Sequence, residues 1–467
     1  MAGRLMASRQ PGIGFLERLE AILQNPLTYE LGDLIPDRVR RGGRQRMYPA
    51  FMFVVYEALV SVYGSARQVE AELRHPIVWK LVLRIAGEMR PESPLPNEPM
   101  RRYHYLYSRE RYLVPLGPVL RERFEQGSAA QARCELGLCD PDGAGSLTHP
   151  DLSRMVHADG KVLAPLFRAK PGERSVDEET GEITTARHEP DAALHVTGGG
   201  QPAYGTKWVL GFVRDADPHT RMVVGLQWVP NKGGEAKHAM AMLERIAPNF
   251  TGAQGLIYDT ALRGVHLQKM LTELGWVPVV PVAAKSVDGK KRRPKEAFVE
   301  ATEIEFADGT KSRVKLFSRD GVLGVIELDV AGESQFVELP RRRLIRRRNR
   351  TGWRWYGEYD VQHPNGGKSA RIRVRLDLTD EDQDREFNRP ENLRAIPPGD
   401  PDYARIYSRR SDAEAANRIL DDTHYLRRAH SVGHERQLVN LIGFGLAVNS
   451  IALAQARQRA GPIGVAA

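Results

Sequence analysis

Cysteine is nearly missing from this chain: two residues in 467, Cys134 and Cys139, both in the stretch CELGLC. With no other cysteine and no close histidine cluster, no zinc ligand set is spelled out, and two loop or buried thiols are expected. So sparse a usage excludes a disulfide-stapled fold and suits a reducing compartment. An apolar leader core is also lacking. The opening MAGRLMASRQPGIGF reads as no secretory signal. Nor is there an uninterrupted apolar run of membrane length. The nearest is residues 438–456, LVNLIGFGLAVNSIALAQA, broken by Asn440, Asn449, Ser450, Gln455 and two glycines. A buried helix packed on a sheet is expected there, in a soluble protein without a membrane partner. No internal repeat is evident.

What is abundant is arginine and lysine: 68 against 59 acids, a formal net charge of +9 and a pI near 9.5. A basic balance of that size is compatible with a polyanionic partner without establishing one. Hydrophobic residues make up 41% of the chain, enough for ordinary cores, and the length calls for two or three domains.

Residues 1–133 read as a helical domain. YPAFMFVVYEALVSVYG is a strongly apolar helix ending at Gly64, Ser65 with Gln68 fits a capping box, and Pro76 suits a first helical turn. Short helices with basic faces (Arg40, Arg41, Arg44, Arg101, Arg102) fit DNA binding or dimerisation, and a plain helical bundle fits as well. From residue 150 to 284 the pattern becomes three strands, helix, strand, helix, strand, which describes a mixed α/β sheet. Between its first two strands lies a charged segment poor in apolar residues, expected as a mobile loop.

Residues 285–398 interrupt that sheet with short alternating runs and Asp-Gly turns, a β-rich insertion. At its centre stands RRRLIRRRNRTGWRWYG, with Arg341, Arg342, Arg343, Arg346, Arg347, Arg348 and Arg350 and no acid among them. Buried unpaired arginines are too costly, so the run faces an anion or open solvent. Trp353 and Trp355 follow, and arginines beside aromatics suit nucleic acid, through phosphate neutralisation and base stacking. A solvated basic strand edge is the competing account. Residues 399–460 return to the α/β domain with a helix and the apolar segment.

Acids occupy suggestive places. Asp159 lies in the first strand, Asp259 ends the fourth, and Glu414 sits on the helix after the insertion. Three hard oxygen ligands suit Mg²⁺ or Mn²⁺, and two such ions about 4 Å apart drive in-line displacement at phosphorus. Tyr407, Arg410 and Glu414 are spaced to share one helical face, a pattern that a solvated surface with Ser411 as N-cap would also produce. His157, two residues before Asp159, is expected as a packing or hydrogen-bonding histidine. Asp412 is the competing third acid.

ADGK on the first strand, LIYDTALRG on the fourth and YSRRSDAE later resemble, in order and spacing, the signatures of DDE transposases of the bacterial insertion-sequence type. These carry a Tyr-x-x-Arg-x-x-x-Glu motif and a β-rich insertion before the glutamate. The resemblance runs over about residues 152–456 and implies a ribonuclease H-like mixed sheet. It implies Asp159, Asp259 and Glu414 as catalytic metal ligands, with Mg²⁺ or Mn²⁺ as two ions. Tyr407 and Arg410 would hold DNA phosphates. Arg418, Arg342, Arg346 and Arg347 join them as expected DNA contacts, with Trp353 or Trp355 as a ring stacking on a flipped base. The implied activity is strand cleavage at transposon ends and transfer into target DNA by a homodimer, in a cytoplasmic, nucleoid-associated protein. A nuclease that only cleaves, or an inactive DNA-binding relative, is the alternative. One departure stands out: where the family often has a lysine seven residues after the glutamate, this chain has Asp421, so Arg418 or Arg427 would have to serve or the activity would be weakened. Asp191 resembles a family position beside the sheet and carries no implied role.

Overall fold

A computed structural model describes residues 13–36, 46–196, 201–230, 234–282, 286–287, 290–291, 296–328, 332–363, 365–424 and 427–460. Arg40, Arg41 and Arg44 lie outside the described residues. In chain order the N-terminal helices are α1 (Phe15–Gln24), α2 (Pro26–Asp33), α3 (Phe51–Tyr63), α4 (Ala66–Leu73), α5 (Pro76–Met89), α6 (Arg102–Ser108) and α7 (Gly117–Leu136). There follow β1 (Met155–Leu163), the hairpin β2 (Arg174–Val176) and β3 (Ile183–Thr185), β4 (Ala193–Val196), β5 (Pro202–Val213), β6 (Met222–Val229), α8 (Glu235–Ile246), β7 (Gly255–Ile257), α9 (Val265–Lys269) and β8 (Val277–Val279). The insertion contributes β9 (Ser286–Val287), β10 (Lys290–Lys291), β11 (Ala297–Glu305), β12 (Lys311–Arg319), β13 (Val322–Leu328), β14 (Ser334–Glu338), β15 (Arg341–Asn349), β16 (Gly352–Val361) and β17 (Ala370–Arg375). The chain ends with α10 (Asp380–Asp384), α11 (Arg389–Asn392), α12 (Pro401–Tyr407), α13 (Arg410–Thr423) and α14 (His434–Ala460).

The fold is mixed α/β, and its packing divides it into two compact units. One holds Met1–Leu138, Asp159–Phe250 and Asp412–Ala467; the other holds Cys139–Ala158 and Thr251–Ser411. These boundaries differ from the sequence-based ones. The N-terminal helices do not close a core of their own, because Leu19, Met52 and Phe124 share one apolar cluster with Leu210, Val223, Leu441 and Phe444. The insertion likewise shares its core with the start of β1, β7 and β8, through Met155, Ile257 and Val279.

In the first unit β5 pairs antiparallel with β4 and with β6 and neighbours β1. Helix α3 is buried almost all round, as its predominantly apolar sequence requires, and stops at Gly64, whose φ of 81° needs a glycine. Ser65 caps α4 by accepting from the Gln68 amide, and Pro76 opens α5. Helix α14 is long and apolar enough to cross a membrane, but 89% of its apolar window is buried, packed on α1, α3, α7 and β6. Its polar interruptions are spent inside. Asn449 bonds both the amide and the carbonyl of Val223 on β6, and Asn440 donates to Glu57 Oε1 at 2.5 Å. Glu57 also accepts from Tyr105 Oη at 2.6 Å and faces Arg109 at 3.5 Å, so the buried carboxylate is fully engaged. At the N-terminus of α14, Asp191 Oδ2 accepts from the His434 amide and Glu189 Oε1 from the Gly433 amide, acids placed where the helix dipole favours them.

In the second unit β1 pairs parallel with β7, and β7 with β8. The antiparallel sheets β11–β14 and β15–β17 follow. The two-residue loop Asp320–Gly321 has both φ values positive, 53° and 87°, the geometry that Asp-Gly supplies for a tight hairpin.

Helices α3 and α14 approach closely at Gly443, where a Cβ would meet the Glu57 backbone oxygen at 2.8 Å. Gly443→Val is expected to destabilise the protein by about 2–3 kcal/mol, the cost of forcing packed elements apart. A denaturant melt with an unshifted midpoint would show that the two helices yield there.

Candidate functional site

The first turn of α13 is fixed by a buried ion pair. Arg214, directly after β5, holds Asp412 through Nε–Oδ2 at 2.5 Å and Nη2–Oδ1 at 2.6 Å, with Arg221 at 3.7 Å. Asp412 is therefore a structural anchor and not the competing third acid. Ala413, Ala416, Asn417, Leu420 and Thr423 form the rest of the inward face, leaving Glu414 and Arg418 exposed. Asn417 lies one turn after Glu414 and donates from Nδ2 to Asp159 Oδ2 at 2.9 Å. Asp421, one turn further on, accepts from Lys161 Nζ at 2.5 Å. Lys161 is two residues past Asp159 and so on the same face of β1. Gly160, between them, faces the other way, against the Glu235 carboxylate, which pairs with Lys207 at 2.5 Å.

Asp159 and the Glu414 helix are thus brought together inside one unit. Asp259 belongs to the other unit, two residues past β7, where its Oδ1 caps the Ala261 amide at 2.8 Å. Among the described residues no group of three or more His, Cys, Asp or Glu gathers in a metal-ligating arrangement. Asp159 and Glu414 remain the hard-oxygen type of donor that Mg²⁺ or Mn²⁺ takes together with water and phosphate.

Tyr407 and Arg410 do not share one straight stripe with Glu414. Helix α12 ends at Tyr407, a turn occupies Ser408 and Arg409, and α13 begins at Arg410. Ser411 is not an N-cap; it lies inside α13 and donates to the Ser408 carbonyl at 2.9 Å. Tyr407 stacks on Tyr403, ring centres 5.2 Å apart. His157 is buried against the Arg409 carbonyl at 3.3 Å, the packing role expected of it. Position 421, expected to weaken phosphate binding by its negative charge, is instead matched by Lys161. Arg418 and Arg427 are both exposed.

The arginine run folds as β15, and three of its arginines meet acids on β16 and at the start of α12. Arg343 pairs with Glu358 at 2.5 Å, Arg342 with Asp360, and Arg341 with Asp400. Arg346 points to the core side, donates to the Gly275 carbonyl and lies 4.2 Å over the Trp353 ring. Burial lowers its guanidinium pKa. Trp355 is fully buried, with Nε1 donating to the Leu271 carbonyl at 2.7 Å, so it cannot stack on a base. Trp353 is half-buried, held between Arg346 and Arg348 and against Gly275. Arg347 stays exposed.

Within electrostatic reach of the Lys161–Asp421 pair, His424 faces His430 at 4.6 Å. His424 Nδ1 contacts the Leu420 carbonyl at 2.7 Å. Burial pushes His424 down to about 4, and burial with the His424 and Arg109 charges pushes His430 down to about 3. The residues missed by sequence reasoning are Asn417, Lys161 and Arg214. A two-residue step from Asp159 picks out Lys161; nothing local marks the other two.

No protein-family model matches the chain, and a search of the curated proteins finds no match.

Two expectations follow from this geometry. Asp412→Asn strands Arg214 as a buried charge and should cost about 3–5 kcal/mol in a denaturant melt, whereas Glu414→Gln, on the exposed face, should leave the midpoint in place. Equal losses would mean that Glu414 also has a structural role. The second concerns acid. Unfolded histidines take up protons near pH 6.5, while His424 and His430 stay neutral in the fold until about 4 and about 3. Their contribution is fully present above about pH 6.5 and falls as pH drops from there, by about 1.4 kcal/mol per unit for each. Melts between pH 7 and 4.5 should show a shallower decline in His424→Gln/His430→Gln than in the parent protein; parallel curves would remove the pair as its source.

Proposed function

We propose that the chain is a DDE transposase with a ribonuclease H-like catalytic core, acting on DNA by metal-dependent phosphoryl transfer. The observation that carries this reading is the Asn417–Asp159 hydrogen bond. It ties the strand of the first aspartate to the helix of the glutamate, across more than two hundred intervening residues, one turn from Glu414. Asp159 and Glu414 are the ligands for Mg²⁺ or Mn²⁺ that this supports, and Asp259 enters from the sequence resemblance alone.

When bound, such ions acidify a water or 3′-hydroxyl and neutralise the leaving oxygen at phosphorus. The chain's own groups prepare for that. Asn417 holds Oδ2 of Asp159, fixing the orientation of the carboxylate, as outer-shell partners of metal ligands do. Asp421 holds Lys161 on the same strand face as Asp159, where its ammonium offsets the charge of an approaching phosphate. Arg418, exposed one turn after Glu414, is placed to meet the backbone of the same DNA. Cleavage at transposon ends and strand transfer into target DNA by a homodimer complete the proposal.

The test is metal-dependent nicking of supercoiled plasmid. Asp159→Asn and Glu414→Gln should abolish nicking while leaving thermal midpoint and DNA affinity unchanged, and Asn417→Ala should slow it about 10–100-fold. Nicking at the parental rate by Asp159→Asn would sink the catalytic assignment.

A further inference from the structure

The outer face of the β15–β16–β17 sheet is built as an array of guanidinium groups over sunken acids. Cross-strand register places Arg343 opposite Glu358 and Glu358 opposite Arg373; Asp360 lies opposite Arg371, and Arg347 opposite Arg354. Each carboxylate is clasped from two sides. Glu358 binds Arg343 at 2.5 Å and Arg373 at 2.8 Å. Asp360 binds Arg342 and lies 3.8 Å from Arg371. Asp377 binds Arg354 at 3.3 Å and Arg375 at 2.7 Å. The acids are buried under the arginines: the Glu358 side chain is 5% exposed, against 59% for Arg343 and 41% for Arg373. Every clasp therefore leaves one positive charge at the surface, and Arg347 adds another, with no carboxylate partner among the described residues. Tyr356, half-buried, lies between the clasps. Glu358 is held down to about 2 by the Arg343 and Arg373 hydrogen bonds, so the array stays charged across the physiological range.

We propose that this sheet face binds the phosphodiester backbone of DNA, using guanidinium forks pre-set by their own carboxylates. The proposal rests on the reading of DNA as substrate but concerns a different surface from the carboxylates of Asp159 and Glu414. Three features favour a nucleic acid over an acidic protein or membrane. The cations are arginines throughout, whose planar forks match phosphate oxygens in pairs. Residues two apart along a strand repeat at about 6.6 Å, close to two phosphate rises on one DNA strand at 3.4 Å each. The side chains are also already ordered by the clasps, so little rotamer freedom is lost on binding. Arg346 and Trp355, on the opposite face of the same sheet, take no part.

The test uses the full chain and a fluorescein-labelled DNA duplex of mixed sequence, with affinity read by anisotropy at several salt concentrations. Arg347→Glu, which breaks no ion pair among the described residues, should weaken binding about tenfold near 0.1 M salt. It should also lower the slope of log affinity against log salt by about one contact. The neutralised clasp Arg343→Gln/Glu358→Gln/Arg373→Gln, with its thermal midpoint checked, should lower the slope similarly. Arg84→Glu on α5 makes the same charge change elsewhere and should do much less. Unchanged slopes in both face variants, or losses equal to that of Arg84→Glu, would overturn the proposal. So would binding to vesicles of 30% anionic lipid that Arg347→Glu removes while DNA affinity stays. Failure of the catalytic reading is a separate outcome: Asp159→Asn would then nick normally while the face variants still lose DNA.

Discussion

The buried Arg214–Asp412 pair is the constraint from which the rest of the candidate site follows. A carboxylate removed from water must be matched by hydrogen-bonded charge, and the two-point grip of a guanidinium fixes angle as well as position. With Asp412 so held, the rotation of α13 is set. Asn417 then falls on Asp159, Asp421 on Lys161, and Glu414 is turned outward. A helix docked only by Ala413, Ala416 and Leu420 has a smooth apolar face and little to stop it rolling. The ion pair converts a general amphipathic contact into a specific register, and the polar contacts with β1 inherit that register.

The same economy of charge governs the arginine-rich strand. Seven arginines in ten residues look intolerable in a folded sheet, yet three of them find their acids on other segments: Glu358 and Asp360 on β16, and Asp400 before α12. Arg346 is absorbed differently, its charge spread over the Trp353 face and a backbone carbonyl. Alternation separates Arg346 from Arg347. Residues facing the core must be neutralised or desolvated at a cost, so Arg346 packs; residues facing out keep their charge, so Arg347 stays free to act at long range.

Much of the fold was legible because it rests on local rules. The apolar run of α3, its glycine stop, the Ser65 cap and the Asp320–Gly321 turn each follow from a few neighbouring residues. The domain boundaries were not legible. A helical N-terminal stretch reads as a separate bundle until one sees that α3 lacks partners for its whole circumference and takes α14 as one of them. The run Tyr407–Glu414 misled for a related reason: spacing predicts a stripe only if the helix is continuous, and no glycine or proline marks the turn at Ser408–Arg409. Trp355 could not be told from Trp353 by composition, since the two share one face of the strand. Their depth depends on their surroundings: Trp355 is buried with Nε1 on the Leu271 carbonyl, whereas Trp353 lies beside the β15–β16 turn, between Arg346 and Arg348.

Asp421 shows why a motif position has to be judged with its neighbours. Taken alone, a carboxylate where a lysine is expected argues for a weakened site, because a negative group repels phosphate. Paired with Lys161 it becomes the anchor of a cation, and the local charge sum near Asp159 is no longer that of a bare carboxylate cluster. The buried, neutral His424 and His430 add no charge of their own at neutral pH, which keeps that balance intact. Under the proposed reading, the cation beside Asp159 is carried by β1 instead of α13, and the Asn417–Asp159 contact keeps the two elements in step.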